Sequence, residues 1–185
     1  MRVANLGKGL FALLLMAGLR PKTGADPRPL LGKYSQSPSL QILDACFVAG
    51  EAHLMTAAVL AKKSWEAGEN VSRIPANEVL LYASSKRQIR EAIEFMGVRE
   101  SSSGWVAVAV CESETQMGCL VQDLLAMGTE DDSLIDLDES KCPGVKSKFG
   151  ISEDEISCAL PLVGSREMAI STLVVERVSI SDLYR

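Results

Sequence analysis

Apolar and polar positions alternate, then recur every three to four residues, then alternate again. After Lys8 an eleven-residue stretch from Gly9 to Leu19 carries no charge. It is too short to span a bilayer. Arg2 and Lys8 resemble the charged start of a signal peptide, but no small-x-small cleavage site follows. The stretch therefore predicts a first helix or strand packed on the core of a cytoplasmic protein. Lys22 to Ser39 has no periodicity and reads as a long connector. Residues 1–38 are thus a poorly defined N-terminal segment and connector, and residues 39–185 form the domain.

From residue 40 the pattern sharpens. Leu40 to Val48 alternates like a strand, and Gly50 breaks it. Leu54, Ala58, Ala61 and Trp65 make one stripe of a helix over Glu51–Ala67, stopped by Gly68. Pro75 suits the first turn of a helix over Ala76–Ala83. Ser84-Ser85 interrupts it. A third helix is predicted over Lys86–Met96, burying Ile89, Ala92, Ile93 and Met96 before Gly97. Trp105–Cys111 reads as a strand buried on both faces. Glu114–Met127 predicts a helix with Met117, Leu120, Val121, Leu124 and Leu125 inside, and Leu134–Leu137 a short strand. Ser152 and Glu155 form a capping box for a short helix to Cys158, and a last helix runs from Ser165 to about Val178. A second box at that helix requires the cap to sit at Gly164.

Composition narrows the function. The chain has 185 residues, 47% hydrophobic and 23% charged, with a net charge of −5. That is an ordinary globular balance, and a uniformly basic nucleic-acid coat is excluded. Aromatics at 5% exclude a broad stacking platform. Charge is nonetheless uneven. Lys62 to Arg99 holds seven basic and five acidic residues, whereas Cys111 to Ile156 holds three basic and twelve acidic. The five cysteines fit no zinc spacing and suit buried or free thiols in a reducing compartment.

The usual catalytic patterns are missing. There is no phosphate-binding Gly-x-x-x-x-Gly-Lys-Ser/Thr, no Gly-x-Gly-x-x-Gly and no Gly-x-Ser-x-Gly. His53 is the single histidine, so any Cys–His or Ser–His pair must use it. A packed or capping role competes with a general base or RNA contact there. Asp131-Asp132 and Asp136-x-Asp138-Glu139 lack the glycine turn and closing glutamate of a calcium loop. No metal and no cofactor are expected.

One segment stands apart, Ala83-Ser84-Ser85-Lys86-Arg87-Gln88-Ile89-Arg90. A Ser85–Gln88 capping box explains those two residues. It leaves Lys86, Arg87 and Arg90 unexplained, because cations in a first helical turn oppose the macrodipole. Free amides and cations at a helix start suit an anion, including an RNA phosphate.

The region from Ile42 onward resembles the kinase-binding subunit of the KEOPS complex, the TPRKB family. The resemblance rests on Asp44-Ala45-Cys46-Phe47-Val48-Ala49-Gly50-Glu51-Ala52-His53-Leu54, on Asn77-Glu78-Val79-Leu80-Leu81-Tyr82-Ala83-Ser84 and on Arg87-Gln88-Ile89-x-x-Ala92-Ile93. Asp131-Asp132-Ser133-Leu134 and the ending Leu173 to Leu183 also fit. The resemblance implies a single compact α/β (α+β) domain with a small sheet packed against several helices. It implies a subunit that is not an enzyme. Such a subunit binds and stimulates a small atypical kinase/ATPase and holds tRNA by its single-stranded 3′ CCA end. The complex makes threonylcarbamoyl-adenosine beside the anticodon.

On that resemblance Lys86 and Arg87 are expected to meet phosphates. Gln88 and Ser84 would lie near a base or ribose, Arg90 on the same face, and Tyr82 is a candidate stacking ring. The C-terminal helix is the expected kinase surface, through Leu173, Val174, Arg177 and Ile180. Leu173, Val174 and Val175 are consecutive, so one helical face cannot bury all three. Two other readings remain. One is a kinase-binding module without tRNA affinity. The other is an enzyme using Cys46 or Cys111 with His53, which requires an activated thiol.

Overall fold

A computed structural model describes residues 1–182, so Leu183, named in the expected ending, lies outside the described residues. The strands are β1 (Arg2–Asn5), β2 (Leu13–Pro21), β3 (Ser39–Asp44), β4 (Trp105–Cys111) and β5 (Gly128–Glu130). The helices are α1 (Arg28–Lys33), α2 (Glu51–Ala67), α3 (Pro75–Ala83), α4 (Ile89–Met96), α5 (Glu114–Met127), α6 (Cys142–Phe149), α7 (Glu153–Val163) and α8 (Arg166–Ser181). The result is an α+β domain with an antiparallel sheet in the order β1-β2-β4-β3, and β5 also pairs with β2.

Two apolar layers cover the sheet. Val106, Val108 and Val110 of β4, with Leu14 and Met16 of β2, face the layer containing α2, α3, α6 and α8. Trp105, Ala107, Ala109 and Cys111, with Leu15, Ala17 and Leu19, face Leu30 and Tyr34 at α1 and Met117, Leu120 and Leu124 of α5. Covered strands lose the polar alternation that would mark them. This is why residues 9–19 read as helix or strand alike.

The structure revises several boundaries. Residues 1–38 supply two strands and a helix, so the expected ill-defined segment is part of the sheet. The strand expected to Val48 ends at Asp44, whose side chain caps a 3-10 turn over Ala45–Phe47. The strand expected at Leu134–Leu137 is not formed, because Asp131 caps a 3-10 turn over Asp132–Leu134. The acceptor is the Asp131 side chain, bonded to the Ser133 amide at 3.2 Å. α6 was not expected; its apolar residues Cys142, Val145 and Phe149 are too few to show a period. The Ser152–Glu155 box forms as expected, but α7 runs on to Val163. Ser165 itself caps α8 through the Met168 amide, without a reciprocal acid. Ile93 and Leu125, expected inside, are exposed. Among the described residues no single helix is long and apolar enough to cross a membrane.

Candidate nucleic-acid and partner interface

The basic segment is shaped by how α3 stops. The Lys86 amide donates to the Leu81 carbonyl and the Ser85 amide to the Tyr82 carbonyl, while Ser85 takes a left-handed φ of 53°. This is a Schellman stop with serine where glycine is usual. Left-handed serine costs about 1 kcal/mol or more. Because Ser85 ends α3, it cannot also cap α4. The expected Ser85–Gln88 box is absent: Gln88 is the N-cap of α4 without a side-chain bond, and the Ser85 hydroxyl is buried with no partner among the described residues. α4 therefore begins at Ile89 rather than Lys86. Lys86 and Arg87 precede the helix instead of burdening its first turn.

Ser84 is buried and its hydroxyl donates to the Leu81 carbonyl, so the expected contact with a base or ribose is not available. Tyr82 is also buried, with its hydroxyl on Asp182, and offers no stacking face. Arg87 and Gln88 are exposed, and Arg90 pairs with Glu94 one turn on.

Lys86, Arg87 and Gln88 line a groove of about 450 Å³ whose other wall is the end of α8, with Arg177, Ile180 and Ser181. The expected RNA-binding turn and the expected partner-binding helix thus meet in one groove. The agreement is partial. Val174 is fully buried in the helical layer and cannot be an exposed partner contact, and Leu173 reaches the surface only where it lines a hollow beside α7. Their turn of α8 packs inward, and α8 lies against α2, α6 and α7. Arg177 is bonded to Glu155 of α7.

A second basic feature lies beside the groove and had no signal in the sequence. The Lys86 ammonium sits 5.0 Å from the Phe95 ring centre. Lys148 lies 5.0 Å from Phe95 and 4.7 Å from Phe47, and the Arg99 guanidinium 5.8 Å from Phe47. These residues come from separate segments, so no local spacing could have joined them. Arg99 also lines the edge of a cavity of about 950 Å³ floored by Ile42, Leu80, Val98 and Trp105.

The apolar surface lies on α7 rather than inside α8. Leu162 is 86% exposed, and Leu160 and Met168 are exposed nearby in the chain. A hollow of about 410 Å³ is lined by Leu162, Cys158 and Leu173 and bordered by Asp154, Glu155 and Glu176.

The thiol chemistry expected of a Cys–His enzyme is not supported. His53 is buried, its Nδ1 accepts from the Ala49 amide and its Nε2 lies 2.8 Å from the Ala83 carbonyl. Both nitrogens are used, and burial lowers its pKa to about 4. Burial pushes the Cys111 thiol up to about 11 and also raises Cys46, with Asp44 adding to the latter. Neither is an activated thiol. Lys141 is buried and donates to the carbonyls of Leu134 and Asp136; burial lowers it to about 8. It ties the 131–136 turn to the start of α6.

A family model described as kinase binding protein CGI-121 matches residues 28–182. No curated protein matches the chain. The matched span starts at α1 and runs through α8, taking in the groove, the ring-bound cations and the α7 face. The chain belongs to the CGI-121 family of kinase-binding proteins.

Proposed function

We propose that this protein is a non-catalytic, cytoplasmic subunit of a KEOPS complex. It docks and stimulates the complex's atypical kinase/ATPase and holds the 3′ CCA end of tRNA, supporting threonylcarbamoyl-adenosine formation. Kinase binding follows from the family. The observation that carries the tRNA half is the turn at 85–88. It projects Lys86 and Arg87 beside exposed Gln88, and neither cation pairs with a carboxylate among the described residues. Phosphates need cations that the protein has not already neutralised. Splayed bases need apolar shelter, and the cavity beyond Arg99 supplies it.

The test is tRNA binding by the intact protein across a range of salt, with tRNA lacking its CCA end as comparison. Arg87→Ala should weaken binding and lower the slope of log K against log salt by about 0.7, the share of one single-strand phosphate. A slope unchanged by Arg87→Ala removes that residue from the interface. Absence of tRNA binding leaves the second reading, a kinase-binding module alone, favoured by the exposed α7 face.

For the kinase, the docking surface is the α7–α8 hairpin around Leu162. Leu162→Asp should weaken kinase capture by about 30-fold or more, the scale of a central apolar contact. Stability should be unchanged, because the side chain is 86% exposed. Full kinase affinity in a folded Leu162→Asp protein would move the docking surface elsewhere.

A further inference from the structure

Most of the basic side chains among the described residues are neutralised by an acid. Arg2, Arg20, Arg28, Lys33, Lys62, Lys63, Arg90, Lys146, Arg166 and Arg177 each pair with a carboxylate. Acids are not scarce, since Asp and Glu number 24 against 19 Lys and Arg. Yet Lys86, Arg99 and Lys148 converge with no carboxylate in salt-bridge range among the described residues. The carboxylate that acts on Lys148 through space is Asp44. Its oxygens are already engaged, one by the Cys46 amide at 3.0 Å and the other by the Ser102 hydroxyl at 2.6 Å.

We propose that Lys86, Arg99 and Lys148, carried over the faces of Phe47 and Phe95, form a phosphate-binding site. The rings hold the cations from one side. Each such contact contributes about 0.5–1 kcal/mol at an exposed site, but a ring cannot cancel a full charge. Lys148 records the deficit. Partial burial, then Arg99 and Lys86, lower its pKa. Among the described residues, Arg99 alone of the three spends a side-chain N–H on the protein, donating to the Glu94 carbonyl at 2.6 Å. A phosphate bridging the three relieves their repulsion and accepts their remaining N–H groups. Lys86 also lines the groove beside Arg87, so the site continues the surface assigned to tRNA and, for an RNA phosphate, rests on that reading.

The experiment uses intact protein, fluorescently labelled tRNA and free tripolyphosphate, with Lys148→Gln, Arg99→Gln and Lys148→Arg. In the wild type, tripolyphosphate should bind and displace tRNA. Lys148→Gln should weaken tRNA several-fold at low salt and lower the salt slope by about 0.7, and Lys148→Arg should keep most of the affinity. A thermal melt confirms that each variant is folded. If tRNA binds with unchanged affinity and slope in both Gln variants, the site is wrong while the tRNA reading stands. If the wild type binds no tRNA, that reading fails. Tripolyphosphate binding that Lys148→Gln abolishes would then identify a free phosphate compound as the ligand. Tripolyphosphate binding that is absent, or indifferent to Lys148→Gln, overturns the site.

Discussion

Lowering the pH from 6.5 towards 4 should cost the folded protein about 3 kcal/mol through His53 alone. The ring is buried in its neutral form, with Nδ1 accepting from the Ala49 amide and Nε2–H donating to the Ala83 carbonyl. A proton on Nδ1 would set two donors against each other and bury a charge. Burial accordingly lowers its pKa to about 4. In the unfolded chain the ring takes a proton near pH 6.5. Between these values the unfolded state binds more protons, so stability is complete above about pH 6.5 and falls with pH until the folded ring is protonated too. A separation of about 2.5 units corresponds to about 3 kcal/mol. With a single histidine in the chain, one imidazole resonance reports the titration. Titration near 6.5 in the folded protein would contradict this burial. The matching decline should appear in urea unfolding between pH 6.5 and 5. Glu153 and Glu155, held down to about 2 by Arg166 and by the Ser152 amide respectively, act only at lower pH.

Gly18→Ala should destabilise the protein by about 3 kcal/mol or more. Gly18 pairs with Val106 on one side of β2. On the other side it fills the gap between the residues of β2 that pair with β1 and with β5. There the 131–132 turn presses directly on the backbone. The Asp131 amide donates to the Gly18 carbonyl at 2.9 Å, and the Gly18 amide donates to Asp132 Oδ1 at 3.2 Å. A Cβ on Gly18 would collide with the Asp131 carbonyl oxygen and lie 2.8 Å from its carbon. Backbone cannot rotate away as a side-chain tip can, so the turn must detach or the strand must bend. Detachment also removes the Leu134 and Asp136 carbonyls that hold Lys141, leaving a buried ammonium unsatisfied. Urea midpoints measure the effect. Gly118→Ala is the control: it lies within α5 with nothing within 4 Å of its Cβ, and should stabilise by about 0.5–1 kcal/mol. A loss under about 1 kcal/mol for Gly18→Ala would mean the turn packs less closely than described.

How legible these features were depends on how local their causes are. β4, α2, α5 and the Ser152 cap follow from runs of neighbouring residues, and all are found. The Ser85–Gln88 box was a sound local pattern defeated by a neighbour, because the Schellman stop of α3 claims Ser85 first. Arg87, Gln88, Arg177 and Ile180, all expected site residues, share one groove. Val174 is buried and Val175 is partly exposed, because three consecutive apolar residues do not reveal which one faces out; Leu173 lines the hollow beside α7. Lys148, Arg99, Phe47 and Phe95 left no trace, since their proximity is created by tertiary packing of α6, α4 and the turn after β3.

The antiparallel pairing of β2 with β4 also sets a schedule for synthesis. Early in synthesis Leu13–Leu19 can pair only with the four residues of β1; its full-length partner is Trp105–Cys111, and β3 waits for the same strand. A ribosome adding about 5–20 residues per second takes roughly 5–20 s to cross that interval. Throughout it, the uncharged run before Arg20 keeps one edge open, with β1 alone beside it. The nascent chain is then a ready client for a chaperone that grips extended apolar segments. Faster elongation between residues 20 and 105 should raise the yield of soluble protein more than faster elongation after 111.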